Sequence, residues 1–467
     1  MAQSDTVALP KRLPLVVAPE NRDASTAKDS RLVNCYVEKD DNGDYHVYKR
    51  PGLTADSQPS GGAATGRGVY NWLGDVYSIF DTTMYKNGVA LVGVLNATNG
   101  LYRFSECLGG TPKMQFGDGV KGYNYNTASG IVVISDPDFP TTFCKGWAYL
   151  DGTTYIIRTT AHVLGDDIND PTSWDPLNDI LAQIEPDPGV AMAKQLIYVI
   201  ALKQWSTEVF YDAGNATGSP LGRVEGAKVN WGCVSQDSVR DVDGSLFWIC
   251  SNKSSLRQVI KLESLKAQIV STPAVERLIQ TADFSTTYSW VMKSNGHRFY
   301  IFTAKLSNLT LAYDVDENMW WQMTDTNGNY MPIVDSTVNS SAVQVLQHES
   351  NGRLYTVSNS VYTDAGDLIT VDVYTPNFDG GTRRRKQMNR MGVVADQQVG
   401  SVLQVRHNDH DYDPKKWSNF RTLDLSLENP YLSNCGMFKR RAHNYRHRCN
   451  TAFRMQAVDL QLDVGTL

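Results

Sequence analysis

Two histidines and three aspartates crowd into His407-Asn408-Asp409-His410-Asp411-Tyr412-Asp413. Imidazole and carboxylate together are ligands for divalent cations. The run precedes Pro414, however, and a solvated loop tip accounts for the same residues, so no metal ligand is assigned. Asp40-Asp41-Asn42-Gly43-Asp44 has carboxylates at calcium-loop spacing but lacks the bidentate Glu that completes an EF-hand, and reads as a turn. Gly117-Asp118-Gly119-Val120-Lys121-Gly122 carries the glycine spacing of a dinucleotide fingerprint. It leads into Tyr123-Asn124-Tyr125-Asn126, with no helix N-terminus to hold a pyrophosphate, and reads as a loop. No phosphate-binding P-loop and no Gly-x-Ser-x-Gly elbow is present. No catalytic residue and no cofactor is therefore assigned, and the expectation is a protein that is not an enzyme.

Six tryptophans, Trp205, Trp231, Trp248, Trp290, Trp320 and Trp321, have the side chains of a carbohydrate platform, but aromatics in strands more often pack between sheets. Tyr362-Thr363-Asp364-Ala365-Gly366 and Phe210-Tyr211-Asp212-Ala213-Gly214 share only Asp-x-Gly with the Asp-box of sialidases. A glycan-binding or glycan-hydrolysing protein is the alternative reading. Two basic clusters remain: Arg383, Arg384, Arg385 and Lys386, then Arg440, Arg441, Arg446 and Arg448. Such runs are commonly solvated faces. Their functional reading is contact with an acidic surface, either a neighbouring subunit or the phosphate backbone of DNA, which would be sequence-blind and salt-sensitive.

The charge is unevenly placed. From Leu368 onward fifteen Lys/Arg stand against ten Asp/Glu, a balance of +5, which leaves −11 on the first 367 residues of a chain at −6. Acidity overall speaks against a dedicated DNA binder. Seven widely spaced cysteines with no Cys-x-x-Cys pair suit a reducing compartment. The longest apolar segment, Val190–Leu202, carries Lys194 and Gln195 in its middle and is no membrane span.

The elements that would position these residues are short strands. Leu196–Leu202, Glu208–Tyr211, Gly244–Cys250 and Val259–Leu262 are apolar or β-rich runs joined by Gly- and Asn-rich connections. One helix start is predicted, at Pro273 after Ser271-Thr272. Turn pairs leading into strands recur at Asn87-Gly88, Ser129-Gly130, Lys194-Gln195, Asp243-Gly244, Asn295-Gly296 and Asn351-Gly352. Their spacing approaches the ~40–50 residues of a four-stranded propeller blade, and six of them suggest six blades. The fold class read here is all-β: a β-propeller over 65–366, with an antiparallel β-domain over 367–467. Residues 1–30 read as an arm that orders in an assembly. Residues 31–56 read as a hairpin packing with the C-terminal domain, and Ser57–Gly68 as a linker.

The middle of the chain resembles the phage stabilisation protein family, the packaged-DNA stabilisation proteins that form the tail hub or nozzle of short-tailed phages. The resemblance is carried by Trp205-Ser206-Thr207-Glu208, Gly214, Pro220, Arg223, Trp231-Gly232, Asp237-Ser238-Val239 and Ser271-Thr272 with Glu276. It extends to Asp136-Pro137-Asp138-Phe139-Pro140, Asn295-Gly296-His297-Arg298 and Trp320-Trp321, and departs at Leu221, where the family has an aromatic. It implies a virion protein assembled in the host cytoplasm. That protein would be a hexameric ring below the portal and the adaptor (head-completion) ring, with tail fibres, spikes or a tip beneath. Non-specific double-stranded DNA would lie in the channel.

Overall fold

The computed structural model describes residues 11–13, 15, 30–41, 43–96, 100–227 and 229–465. Most of the 1–30 arm lies outside these. Among the described residues there are seven four-stranded antiparallel blades, five as separate sheets and two as parts of a nine-stranded and a six-stranded sheet, not the six suggested by the turn pairs. The uncounted one is the third: Ala148–Leu150, Thr153–Ile157, His162–Asp167 and Asp170–Leu181. Its first hairpin turns at Asp151-Gly152, both with positive φ, at 49° and 97°. This is the same left-handed Asp-Gly solution used at Asp243-Gly244.

The first strand of each blade is innermost, and neighbouring inner strands are stitched by side chains to backbone. Val69 N donates to Asp335 Oδ2 (3.1 Å), Asn71 N to Thr337 Oγ1 (3.0 Å) and Val291 N to Ser336 Oγ (3.0 Å). These bonds join blade six (from Thr287–Ser294), blade seven (from Ile333–Val338) and blade one (from Gly66–Trp72). Gly66–Trp72 thus begins within the stretch expected to be a linker. Between blades, apolar layers interdigitate. Trp248, Ile260 and Leu262 of the fifth blade share a core with Ile200, Leu202 and Val209 of the fourth, so each sheet buries a face only because its neighbour is there.

Ring closure corrects the reading of residues 31–56. Gly52–Ala55 does not belong with the N-terminal hairpin. It pairs antiparallel with Leu354–Ser358 as the fourth strand of blade seven, Thr54 opposite Thr356. The hairpin proper, Cys35–Lys39 with Tyr45–Lys49, joins a seven-stranded sheet through the pairing of Tyr45–Lys49 with Arg454–Val464, next to Lys386–Ala395. Lys11–Arg12, inside the predicted arm, also pairs with Arg454–Val464, and Leu13 and Leu15 are buried there.

The propeller and the C-terminal strands are one continuous structure. The last strand of blade six, Met319–Gln322, pairs parallel with Arg31–Val33. That strand continues through Val371–Tyr374, Ala442–His447, Val402–Asn408 and Arg421–Asp424 into a nine-stranded sheet. One core runs through both parts, from Trp290, Phe299 and Trp321 to Met391, Tyr445 and Met455. The junction is pinned by Arg50, which is fully buried. Its guanidinium grips Asp364 in a fork (2.9 and 2.5 Å), and its Nε donates to Asn34 Oδ1 (3.0 Å). Asn34, in the left-handed region at φ 54°, returns its amide to Thr324 Oγ1 (2.7 Å) and Thr370 O (2.9 Å). The predicted helix is present as Pro273–Thr281, with Thr272 Oγ1 accepting from Val275 N.

Candidate functional site

The eight basic residues separate into two groups. Lys386 and Arg441 are buried and act as internal supports, while Arg446 is partly exposed and held in an ion pair. Lys386 is buried, and its ammonium donates to three backbone carbonyls, of Thr382 (2.6 Å), Arg384 (2.8 Å) and Lys439 (2.8 Å). Arg441 is buried over the Phe438 ring and forks onto Asp409 at 2.7 and 2.8 Å. Arg446 forks onto Asp372 at 2.9 and 3.0 Å and lies over Phe420. Bidentate pairs of this kind fix geometry as well as adding energy.

Arg383, Arg384, Arg385 and Arg448 are exposed, and Arg440 is partly exposed with an ion pair to Asp411 at 2.9 Å. The turn carrying Arg383–Arg385 is held from inside. Lys386 ties it to the 439 turn, and Gly465 N donates to Arg385 O at 2.9 Å. A rigid turn therefore presents three guanidinium groups to solvent, beside exposed Lys439. Chemically this suits an anionic surface and offers no reactive nucleophile. The His407–Asp413 run does not converge: Asp409 faces Arg441, Asp411 faces Arg440, and His407 pairs with Ser418. Burial and the nearby Arg441 charge push His407 down to about 4 and His443 well below its usual value.

The motif residues of the middle chain form a buried polar network on blade four. Lys203 and Glu208 are fully buried and 2.7 Å apart. Glu208 also accepts from Arg223 Nε (3.1 Å) and Ile184 N (2.9 Å). Asp187 takes Lys203 (3.0 Å), Ser206 Oγ (2.8 Å), Ser206 N (2.9 Å) and Trp205 N (2.7 Å). Two cations thus face two carboxylates with their lone pairs filled, the condition under which buried charge is tolerated. Thr207 Oγ1 reaches Trp231 O (2.8 Å), and Gly232 O accepts from Trp248 Nε1 (2.9 Å). Gly232 has no room for a side chain: a Cβ there would lie 2.1 Å from Gln204 O. Ser238 accepts from Ile249 N, and its carbonyl accepts from Tyr300 OH (2.6 Å). Ser271 Oγ donates to Glu276, bracing the helix against the strand at Val259. Gly214 takes φ 63° in the Asp212 turn, and Pro220 O accepts from Ala213 N. These side chains are engaged with one another and with the backbone. Of the tryptophans, Trp248, Trp290 and Trp321 are buried core and Trp205, Trp231 and Trp320 half-buried, so no open platform is formed.

Residues 17–361 match the Phage_stabilise family, described as Bacteriophage P22 Gp10, beta-propeller. The chain belongs to that family. It is accordingly a β-propeller structural protein of phage virions. A search of curated proteins finds no match. Solved structures similar to it are of low identity. A streptogramin B lyase is 8% identical with TM-score 0.40, over 70% of this chain and 98% of that one. A virginiamycin B lyase from Staphylococcus aureus is 7% identical with TM-score 0.43, over 67% and 99%. The WD40 beta propeller domain of Doa1 is 11% identical with TM-score 0.41, over 66% and 98%.

Proposed function

We propose that this chain is the tail hub or nozzle of a short-tailed phage, a hexameric ring below portal and adaptor that extends the DNA channel and retains the genome until ejection. The observation that carries the reading is the family match across 345 residues, residues 17–361, including the whole propeller. The work asked of such a part is mechanical. It needs a stiff scaffold and extensive subunit contacts, and no side-chain chemistry; the protein is proposed not to be an enzyme. The sheet shared between blade six and the C-terminal strands supplies the stiffness.

In this reading the exposed Arg383–Arg385 turn bears on an acidic face of the adjoining subunit or on the adaptor ring, while the net-acidic remainder lets DNA slide by like-charge repulsion. Replacing Arg383, Arg384 and Arg385 together by alanine leaves the monomer folded and weakens ring assembly. Native mass spectrometry of the purified protein, alone and with an adaptor protein, reads this out. Rings of unchanged stoichiometry and salt resistance would sink the assignment of that turn. A particle that never exceeds a monomer under any condition would sink the hub itself.

A further inference from the structure

Nothing in the work of a hub calls for the Trp205–Glu208 motif, whose residues gather around one buried lysine. Lys203 ends the second strand of blade four, Tyr198–Lys203, and Glu208 stands in the third, Thr207–Asp212. Asp187 lies in the connection that brings the chain in from blade three. All three side chains are buried.

Lys203 Nζ is 3.0 Å from Asp187 Oδ1 and 2.7 Å from Glu208 Oε1. Two backbone carbonyls aim it, Ala182 O (3.1 Å) and Glu185 O (2.7 Å). The other aspartate oxygen, Oδ2, accepts from two successive backbone amides, Trp205 N (2.7 Å) and Ser206 N (2.9 Å). Paired N–H groups on one oxygen of an acyl carbon are the arrangement that stabilises a tetrahedral oxyanion. Ser206 Oγ donates to Oδ1 (2.8 Å), and Arg223 Nε holds Glu208 by its other oxygen (3.1 Å). An amine nucleophile, an acyl carbon, an oxyanion site and a proton carrier thus meet where water is excluded.

We propose that Lys203 and Asp187 join in an intramolecular isopeptide bond, formed once by the folded chain with Glu208 as proton carrier. The step balances without a co-reactant. One ammonium proton passes directly from Nζ to Oδ1, giving an amine and a carboxylic acid. Nζ then attacks Cγ, and the carbonyl electron pair moves onto Oδ2 beneath the amides of Trp205 and Ser206. A second proton leaves Nζ for Glu208 Oε1 and goes on to Oδ1. The pair on Oδ2 returns, the Cγ–Oδ1 bond breaks, and Oδ1 departs as water. The third proton stays on the amide nitrogen, and Glu208 is left as a carboxylate paired with Arg223. Burial favours this product: two cations and two carboxylates become one of each, and the desolvation penalty on the Lys203–Asp187 pair is lifted. Pro188 follows Asp187 and has no N–H, so a cyclic imide with the next residue does not compete. The bond ties the connection from blade three to a strand end of blade four, within one chain and independent of ring formation.

Intact-mass spectrometry of the full chain, denatured and reduced, tests this. The expected mass is one water below that of the sequence. A tryptic digest is expected to yield a branched peptide joining the segments of Asp187 and Lys203, with no cleavage after Lys203. Lys203→Met and Glu208→Gln should restore the full sequence mass, and far-UV circular dichroism checks that each folds. The digest of the parent protein locates the bond by itself, so the test stands even where a variant does not fold. A full sequence mass in the folded parent chain overturns the proposal, and so does a lost water located at other residues. A folded Glu208→Gln that still loses water at Lys203 overturns the role given to Glu208.

Discussion

Substituting Asp364 by asparagine removes the only carboxylate that faces Arg50 among the described residues. Arg50 is fully buried and makes two of its hydrogen bonds to that carboxylate, the rest going to Asn34, Pro51 O and Thr324 O. Asparagine keeps the shape and one acceptor, so packing is preserved and the loss is electrostatic. Breaking a buried pair by removing one partner costs about 3–5 kcal/mol; with one acceptor retained, about 3 kcal/mol is expected. If the chain unfolds as a unit, an unfolding entropy of ~2 cal/mol/K per residue makes each kcal/mol worth roughly 1 °C, so the melting temperature falls by about 3 °C. A larger effect is expected locally. Amide exchange should quicken in Gly52–Ala55 and Thr363–Leu368, the segments the ion pair clamps, because the lesion opens the seventh blade before the rest. The double variant Arg50→Met/Asp364→Leu, which leaves no orphan charge, should lose less than Asp364→Asn. A melting shift under 1 °C with unchanged exchange in both segments would refute the reasoning.

Gly232→Ala forces a Cβ to 2.1 Å from Gln204 O, and a stability loss of about 2–3 kcal/mol is expected from the backbone shift, measured by thermal melts. His407 and His447 are held down to about 4 and about 3 by burial. Their folded values lie below the unfolded one, so their contribution is intact above about pH 6.5 and is lost as pH falls from there towards 4. Melting temperature against pH should show that acid decline, and His447→Phe should lessen it. Asp166 has the opposite sign: burial raises it to about 7, so its contribution is full below about pH 4 and declines as pH rises to 7. Asp166→Asn should gain on the parent protein between pH 4 and pH 8 in the same assay.

The type of fold was legible because it rests on local signals. Left-handed turn pairs such as Asn87-Gly88 and Asp243-Gly244 mark hairpins wherever they occur. The blade count was not, because Asp151-Gly152, the turn of a further hairpin, was not among the turn pairs counted. Closure by Gly52–Ala55 was hidden for a deeper reason. Its partner Leu354–Ser358 is some three hundred residues away, and periodicity carries no record of pairing at that distance. The basic clusters hid a similar difference. Arg383–Arg385 and Arg441 look alike in the sequence, and only the 32-residue reach from Arg441 to Asp409 separates a surface charge from a buried one. Glu208 stood out as a motif residue, whereas Lys203 and Asp187, which complete its network, gave no signal of their own.

The parallel seam between Arg31–Val33 and Met319–Gln322 bears on how the molecule handles load. A linker between two bodies lets one swing about the other. Here the backbone amides of blade six run edge to edge into the C-terminal strands, Asn34 N to Gln322 O at 2.8 Å, with no pivot between. A push on the propeller is passed as shear across that seam, and the seam, not a loop, sets the stress at which the two halves part.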